Sequence, residues 1–175
     1  MSKRPWRCNL GRFGGRASIR KGASKYPRSS GREQLARMRK SAIGQVGDRC
    51  SIEFRVRYAE CDAMGYLHHA RYWEYFETAR TELLRERGFR YRDLEAKGIF
   101  FVVYKAACRY IHPVGYDDLV TVTVKVDRIT HTRVDHSYEV TRDGERLCEA
   151  SSTLACVGPD GRPKLMPDAL WSGAG

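Results

Sequence analysis

Between residues 58 and 80 the chain crowds a few reactive side chains into a short space. Asp62, Gly65, His68 and His69 come first, and an aromatic-rich stretch follows at once. A carboxylate can attack an electron-poor carbonyl, or take the proton from a water that does so. The free N–H groups at a helix start, backed by the positive end of the helix dipole, suit an oxygen that gains negative charge. Together these are the elements of carbonyl hydrolysis without a metal. Taken alone the pattern is common. An Asp ahead of a helix most often caps it or closes a turn, and histidines at a helix start are as often solvated as functional. Asp62 lies well ahead of the helical period that begins at Ala70, which makes simple capping less natural.

The elements that must hold these residues are readable from periodicity. Ser51–Ala59 alternates, with Ile52, Phe54, Val56 and Tyr58 on one face, and reads as a half-buried strand. Glu60–His69 is a polar loop in which Gly65 permits tight backbone geometry. From Ala70 to Arg87 the period is helical: Tyr72, Phe76, Ala79 and Leu83 share a face, and Gly88 is a natural stop. Tyr91–Lys97 adds a turn or two of helix. Four strands follow over Phe100–Ile111, Leu119–Ile129, Arg133–Arg142 and Arg146–Val157, the last two joined at the hairpin signal Asp143-Gly144. One strand, a long helix and a four-strand meander specify an α+β domain whose antiparallel sheet wraps around one central helix. A parallel doubly wound fold needs repeated helical crossovers, and there is only one.

The formal net charge of +11 over 175 residues points first to an anionic partner. Its distribution removes that reading from the domain. Residues 1–50 hold fourteen Lys and Arg against two Asp and Glu, whereas the remainder holds 18 basic and 19 acidic residues. Residues 1–48 therefore read as a basic Arg/Gly/Ser-rich disordered tail, with at most a helical turn around Arg32–Lys40. A transit sequence, a nucleic-acid tether and an upstream extension ahead of an internal start at Met38 all fit it. Residues 49–160 form the domain, and 161–175 a C-terminal extension expected to fray. Six scattered cysteines without metal-ligand spacing fit a reducing cytoplasm. No apolar run is long enough to span a membrane.

The run Tyr58-Ala59-Glu60-Cys61-Asp62-Ala63-Met64-Gly65, continued by His69-Ala70-Arg71-Tyr72 and Tyr75-Phe76-Glu77-Thr78-Ala79-Arg80, resembles the 4-hydroxybenzoyl-CoA thioesterase family. Within it the pattern is similar to the Tol-Pal-associated acyl-CoA thioesterases. Pro113-Val114-Gly115-Tyr116-Asp117-Asp118-Leu119-Val120 extends the resemblance, which covers about residues 51–160. It implies a hotdog fold, homodimers or homotetramers with active sites between subunits, and hydrolysis of an acyl-CoA to a free acid and CoA without metal or bound cofactor. It implies Asp62 as nucleophile or general base, Tyr58 and His69 flanking the thioester, the His69 N–H polarising the carbonyl, and Gly65 letting the loop approach the substrate. His68 and Arg71 depart from residues common in relatives and bear on acyl preference.

Other residues carry plainer readings. Trp73 and Phe76 read as core, and Glu77 with Arg80 as a helical ion pair. Cys61 has no evident base and reads as a small buried residue, and His112 as a strand-end residue. A hotdog hydratase would need His where Leu67 stands. Hydrolysis of acyl carrier protein thioesters, a non-catalytic acyl-CoA-binding module and a domain tethered to nucleic acid by its tail are the competing functions.

Overall fold

The computed structural model describes residues 46–167 and residue 170. The helical turn expected around Arg32–Lys40, Met38 and nearly all of the basic tail lie outside the described residues. Strand β1 (Arg49–Arg55) leads through a 3-10 turn (Tyr58–Glu60) and a loop into helix α1 (His69–Glu86). A short helix α2 (Tyr91–Glu95) precedes β2 (Phe100–Tyr110), β3 (Leu119–Ile129), β4 (Arg133–Arg142) and β5 (Glu145–Val157). The five strands form one antiparallel sheet in the order β1-β3-β4-β5-β2. This is the α+β arrangement that the sequence specifies, with α1 packed across the sheet's inner face.

The core follows the two periods. Tyr72, Tyr75, Phe76, Ala79 and Leu83 are the buried face of α1. Opposite them stand Val120, Val122, Val124 and Val126 of β3, and Tyr138 and Val140 of β4, all essentially buried. Burying such apolar side chains contributes about 1.5–3 kcal/mol each. At the centre the Phe76 ring meets Tyr138 with centroids 4.7 Å apart, and Tyr75 stacks on Phe54 at 4.3 Å, which fixes α1 against β1.

Three boundaries differ from the sequence reading. The first strand ends at Arg55 rather than Ala59, because the Glu60 carboxylate takes the Arg57 N–H and curls residues 57–60 into the 3-10 turn. Val56 keeps its buried place, but Tyr58 swings out and is 80% exposed. Strand pairing reaches back past residue 49, since Gly47 N–H donates to the Val126 carbonyl and Val126 N–H to that of Asp48. The described residues after Gly158 do not fray. Lys164 N–H bonds the Cys156 carbonyl, Met166 N–H bonds that of His131, and Met166 and Leu170 are buried in the core. Proline and glycine spacing marks a turn there, while two isolated apolar residues too few to form a period supply the anchor.

β2 is an edge strand, and among the described strands it pairs with β5 alone. Val102, Val103 and Tyr104 on it are about half exposed.

Candidate active site

The loop between the 3-10 turn and α1 is a miniature hairpin. Cys61 and Leu67 bridge antiparallel, Asp62 N–H donates to the Tyr66 carbonyl, and Gly65 N–H donates back to that of Asp62. This pattern closes a three-residue loop, Ala63-Met64-Gly65, whose last residue must be left-handed. Gly65 meets that need with a φ of 81°. Asp62 sits at the hairpin's first corner, and its Oδ1 accepts the N–H of Met64 at 2.8 Å and of Tyr66 at 3.2 Å. One carboxylate oxygen is thus tied to the loop backbone, while Oδ2 has no bond within the described residues.

The hairpin's far arm runs straight into α1. The His68 ring caps the helix, its Nδ1 accepting the Ala70 N–H at 3.3 Å, while the Arg71 N–H bonds the His68 carbonyl. Capping thereby consumes the amides of the second and third helical residues. The His69 N–H, at the first position, has no acceptor among the described residues. Tyr110 of β2 donates its hydroxyl to the His69 carbonyl at 3.2 Å, tying the edge strand to the helix start.

Asp62, His69, Tyr66, Tyr72, Tyr110 and His112 line an open cleft of about 310 Å³. Burial pushes the Tyr72 and Tyr110 hydroxyls well above the usual phenol range, so both stay protonated, the Tyr110 proton being the one given to the His69 carbonyl. The structure therefore brings Asp62 and His69 together, with Gly65 in the turn that shapes the Asp62 loop. It does not bring in Tyr58 within one protomer. That ring stands edge-on to Tyr116, centroids 5.6 Å apart, outside the cleft lining. Tyr110 and His112 are cleft residues that the sequence reading missed or gave a strand-end role. The β2–β5 register brings them in from 40 residues away, and no local pattern signals it. His112 Nε2 lies 3.5 Å from a Glu145 carboxylate oxygen.

Cys61 is half-buried rather than buried as the sequence suggests. Burial, and then the carboxylates of Asp62 and Glu60, push its thiol above the ordinary range, which disfavours a thiolate nucleophile. Glu77 pairs with Arg80 on the helix surface at 2.8 Å. Among the described residues no three His, Cys, Asp or Glu side chains cluster so as to hold a metal ion. The arrangement offers a carboxylate with one free oxygen, an unclaimed amide at a helix N-terminus, and protonated phenols around them. It is suited to attack on a carbonyl.

Known proteins share this frame. A family model described as the thioesterase-like superfamily matches residues 56–172. An acyl-CoA thioester hydrolase, YbgC, of Escherichia coli is 30% identical over 118 residues, covering 66% of this chain and 88% of that protein. The acyl-CoA thioesterase YbgC of Haemophilus influenzae is 35% identical over 108 residues, covering 61% and 79%. Among solved structures, the DHNA-CoA thioesterase of Staphylococcus aureus superposes with a TM-score of 0.67 at 30% identity, covering 71% of this chain and 84% of that one.

Proposed function

The chain belongs to the thioesterase-like superfamily, and on that premise we propose that it is an acyl-CoA thioesterase, releasing a free carboxylic acid and CoA with Asp62 as its reacting carboxylate. The observation that carries this reading is the pairing of a half-tethered Asp62 with the unclaimed His69 N–H on one cleft. Relatives named acyl-CoA thioesterases support the substrate class.

In this reading the thioester carbonyl oxygen lies against the His69 N–H, where the helix dipole stabilises the charge that develops on it. Asp62 Oδ2 then acts in one of two ways. As general base it takes a proton from water, the hydroxide adds to the carbonyl carbon, and the tetrahedral intermediate expels CoA thiolate, which recovers the proton. As nucleophile it forms a mixed anhydride, expels CoA thiolate, and is regenerated by water. Label left in Asp62 after a single turnover in oxygen-18 water identifies the anhydride route with water attack at the aspartyl carbon.

The test of the function is thiol release from a panel of short, long and aromatic acyl-CoA substrates. Asp62→Asn keeps an oxygen for the Met64 and Tyr66 amides, and is expected to lose about 100-fold or more in kcat. Turnover unchanged by that substitution would sink the mechanism. Binding of acyl-CoA without turnover by the wild type would point to a non-catalytic module.

The same reading makes the protein a homodimer or a homotetramer in the cytoplasm. The open β2 edge with its half-exposed Val102, Val103 and Tyr104 supports pairing with a second copy. The five described cysteines are all free thiols, which supports a reducing compartment. No helix among the described residues is long and apolar enough to cross a membrane.

A further inference from the structure

Glu60 lies two residues from Asp62, yet it is 3% exposed and all of its polar groups are engaged. Its Oε2 accepts the Arg57 N–H and the Tyr75 hydroxyl, both at 2.8 Å, and its Oε1 accepts the Arg57 guanidinium at 2.7 Å. Its own N–H donates to the Arg57 carbonyl, and its carbonyl accepts the His68 N–H at 2.9 Å. Burying a carboxylate is costly unless it is paired, and burial does act to raise this one. The bonds from Arg57 and Tyr75 outweigh that effect and hold it below the usual carboxylate range.

What these bonds join matters more than their number. Arg57 follows the end of β1, Tyr75 lies on the second turn of α1, and His68 is the helix cap. Glu60 is thus the base of the Asp62 hairpin, fastened to α1 at two heights: by its carbonyl at the cap and by its carboxylate about two turns further on. Asp62 leaves this anchor on one arm of the hairpin, and His69 follows on the other. Without the anchor, the distance between the Asp62 carboxylate and the His69 N–H depends on the small hairpin alone.

We propose that Glu60 is a positioning residue, whose buried carboxylate holds Asp62 in register with the His69 N–H without touching substrate. This rests on the reading of Asp62 and His69 as the reacting pair. A purely stabilising ion pair would lower the melting temperature and leave the turnover of folded protein alone. A positioning residue instead moves kcat, because a displacement of about 1 Å at the reacting groups costs about 100-fold.

The test is steady-state thiol release by the full chain carrying Glu60→Gln, Tyr75→Phe or both, with hydrogen exchange read on the same proteins. Gln keeps the size and an acceptor for Tyr75 but turns an NH2 group toward the Arg57 donors. Glu60→Gln is expected to lower kcat about 10- to 100-fold with KM within about threefold. Tyr75→Phe, which deletes one oxygen, is expected to lower it several-fold, and the double variant to fall short of the product of the two losses, because both act on one carboxylate. The amides of Asp62 and His68 are expected to exchange about tenfold faster in Glu60→Gln, with the core of α1 unaltered. Unchanged kcat in folded variants, or an effect on KM alone, overturns the proposal. If Glu60→Gln does not fold, Tyr75→Phe decides it by the same split. If the wild type cleaves no acyl-CoA, the thioesterase reading fails by itself. The exchange rates then decide whether Glu60 anchors the hairpin, and unaltered protection overturns that.

Discussion

The Tyr110 hydroxyl donates to the His69 carbonyl across 3.2 Å, joining the last residue of β2 to the first of α1. The residue whose amide faces the cleft is therefore held from its carbonyl side by a strand on the far edge of the sheet. Tyr110→Phe removes this bond and little else. It is expected to lower kcat about three- to tenfold and to cost about 1 kcal/mol or less in denaturant unfolding. A kcat equal to wild type would mean that the cap alone holds the helix start.

Gly65 offers a cleaner test of the hairpin. A methyl group there would meet no atom within 4 Å, so the cost of Gly65→Ala is the left-handed backbone alone. That cost is about 1–2 kcal/mol. Relief of the strain reshapes the turn and carries Asp62 with it, so kcat should fall well beyond what the stability loss explains. Thermal unfolding beside thiol-release kinetics checks both parts.

Acid should destabilise the fold in two separable stages. His136 is buried with its Nδ1 unpartnered, and its pKa is lowered from 6.5 to about 4, first by burial and then by Arg80, against the opposing pull of Asp127 and Asp135. The unfolded chain therefore takes up this proton first, and stability falls as pH drops from 6.5 toward about 4. The linkage amounts to about 3 kcal/mol. Glu60, also lowered, contributes stability that is complete above the ordinary carboxylate range and is lost as pH falls through its lower folded value. His136→Phe should flatten the upper stage and raise stability by about 1 kcal/mol, since it removes an orphaned polar atom. The adjoining apolar cavity of about 70 Å³ gives the larger ring room. Glu60→Gln should flatten only the lower stage. Denaturant unfolding across the acid range distinguishes the two, and a single stage removed by both variants would contradict the assignment.

The open edge of β2 makes a prediction about assembly. Val103→Lys places a charge on a half-exposed apolar edge residue. Light scattering should show a dimer dissociation constant at least about tenfold weaker. Unaltered dimers would place the subunit contact elsewhere.

Much of this was legible in the residues. Tyr72, Phe76, Ala79 and Leu83, spaced for one helix face, are all buried, and the alternating valines of β3 are the inner face of the sheet. Local periods report local geometry. Where a side chain reached back along the chain, the period misled: Tyr58 continues the alternation of β1, but Glu60 capturing Arg57 turns it outward. The spacing of three between Arg57 and Glu60 is the signal that could have shown this. Tyr110 and His112 reach the cleft only through the pairing of β2 with β5, a tertiary fact no window of neighbours contains. The turn chemistry of Ala63-Met64-Gly65, by contrast, was visible in the glycine.

The tilted rings of Phe76 and Tyr138, with Tyr72 6.4 Å from Phe76 on the helix, form a bulkhead across the space between α1 and the sheet. They stand between the cleft at the amino end of α1 and the apolar cavity near its carboxyl end, like a partition in a hull. In the proposed reading, an acyl group attacked at Asp62 meets these rings before it reaches that cavity, so its length is measured along the outer rim of the protomer or by a neighbouring surface.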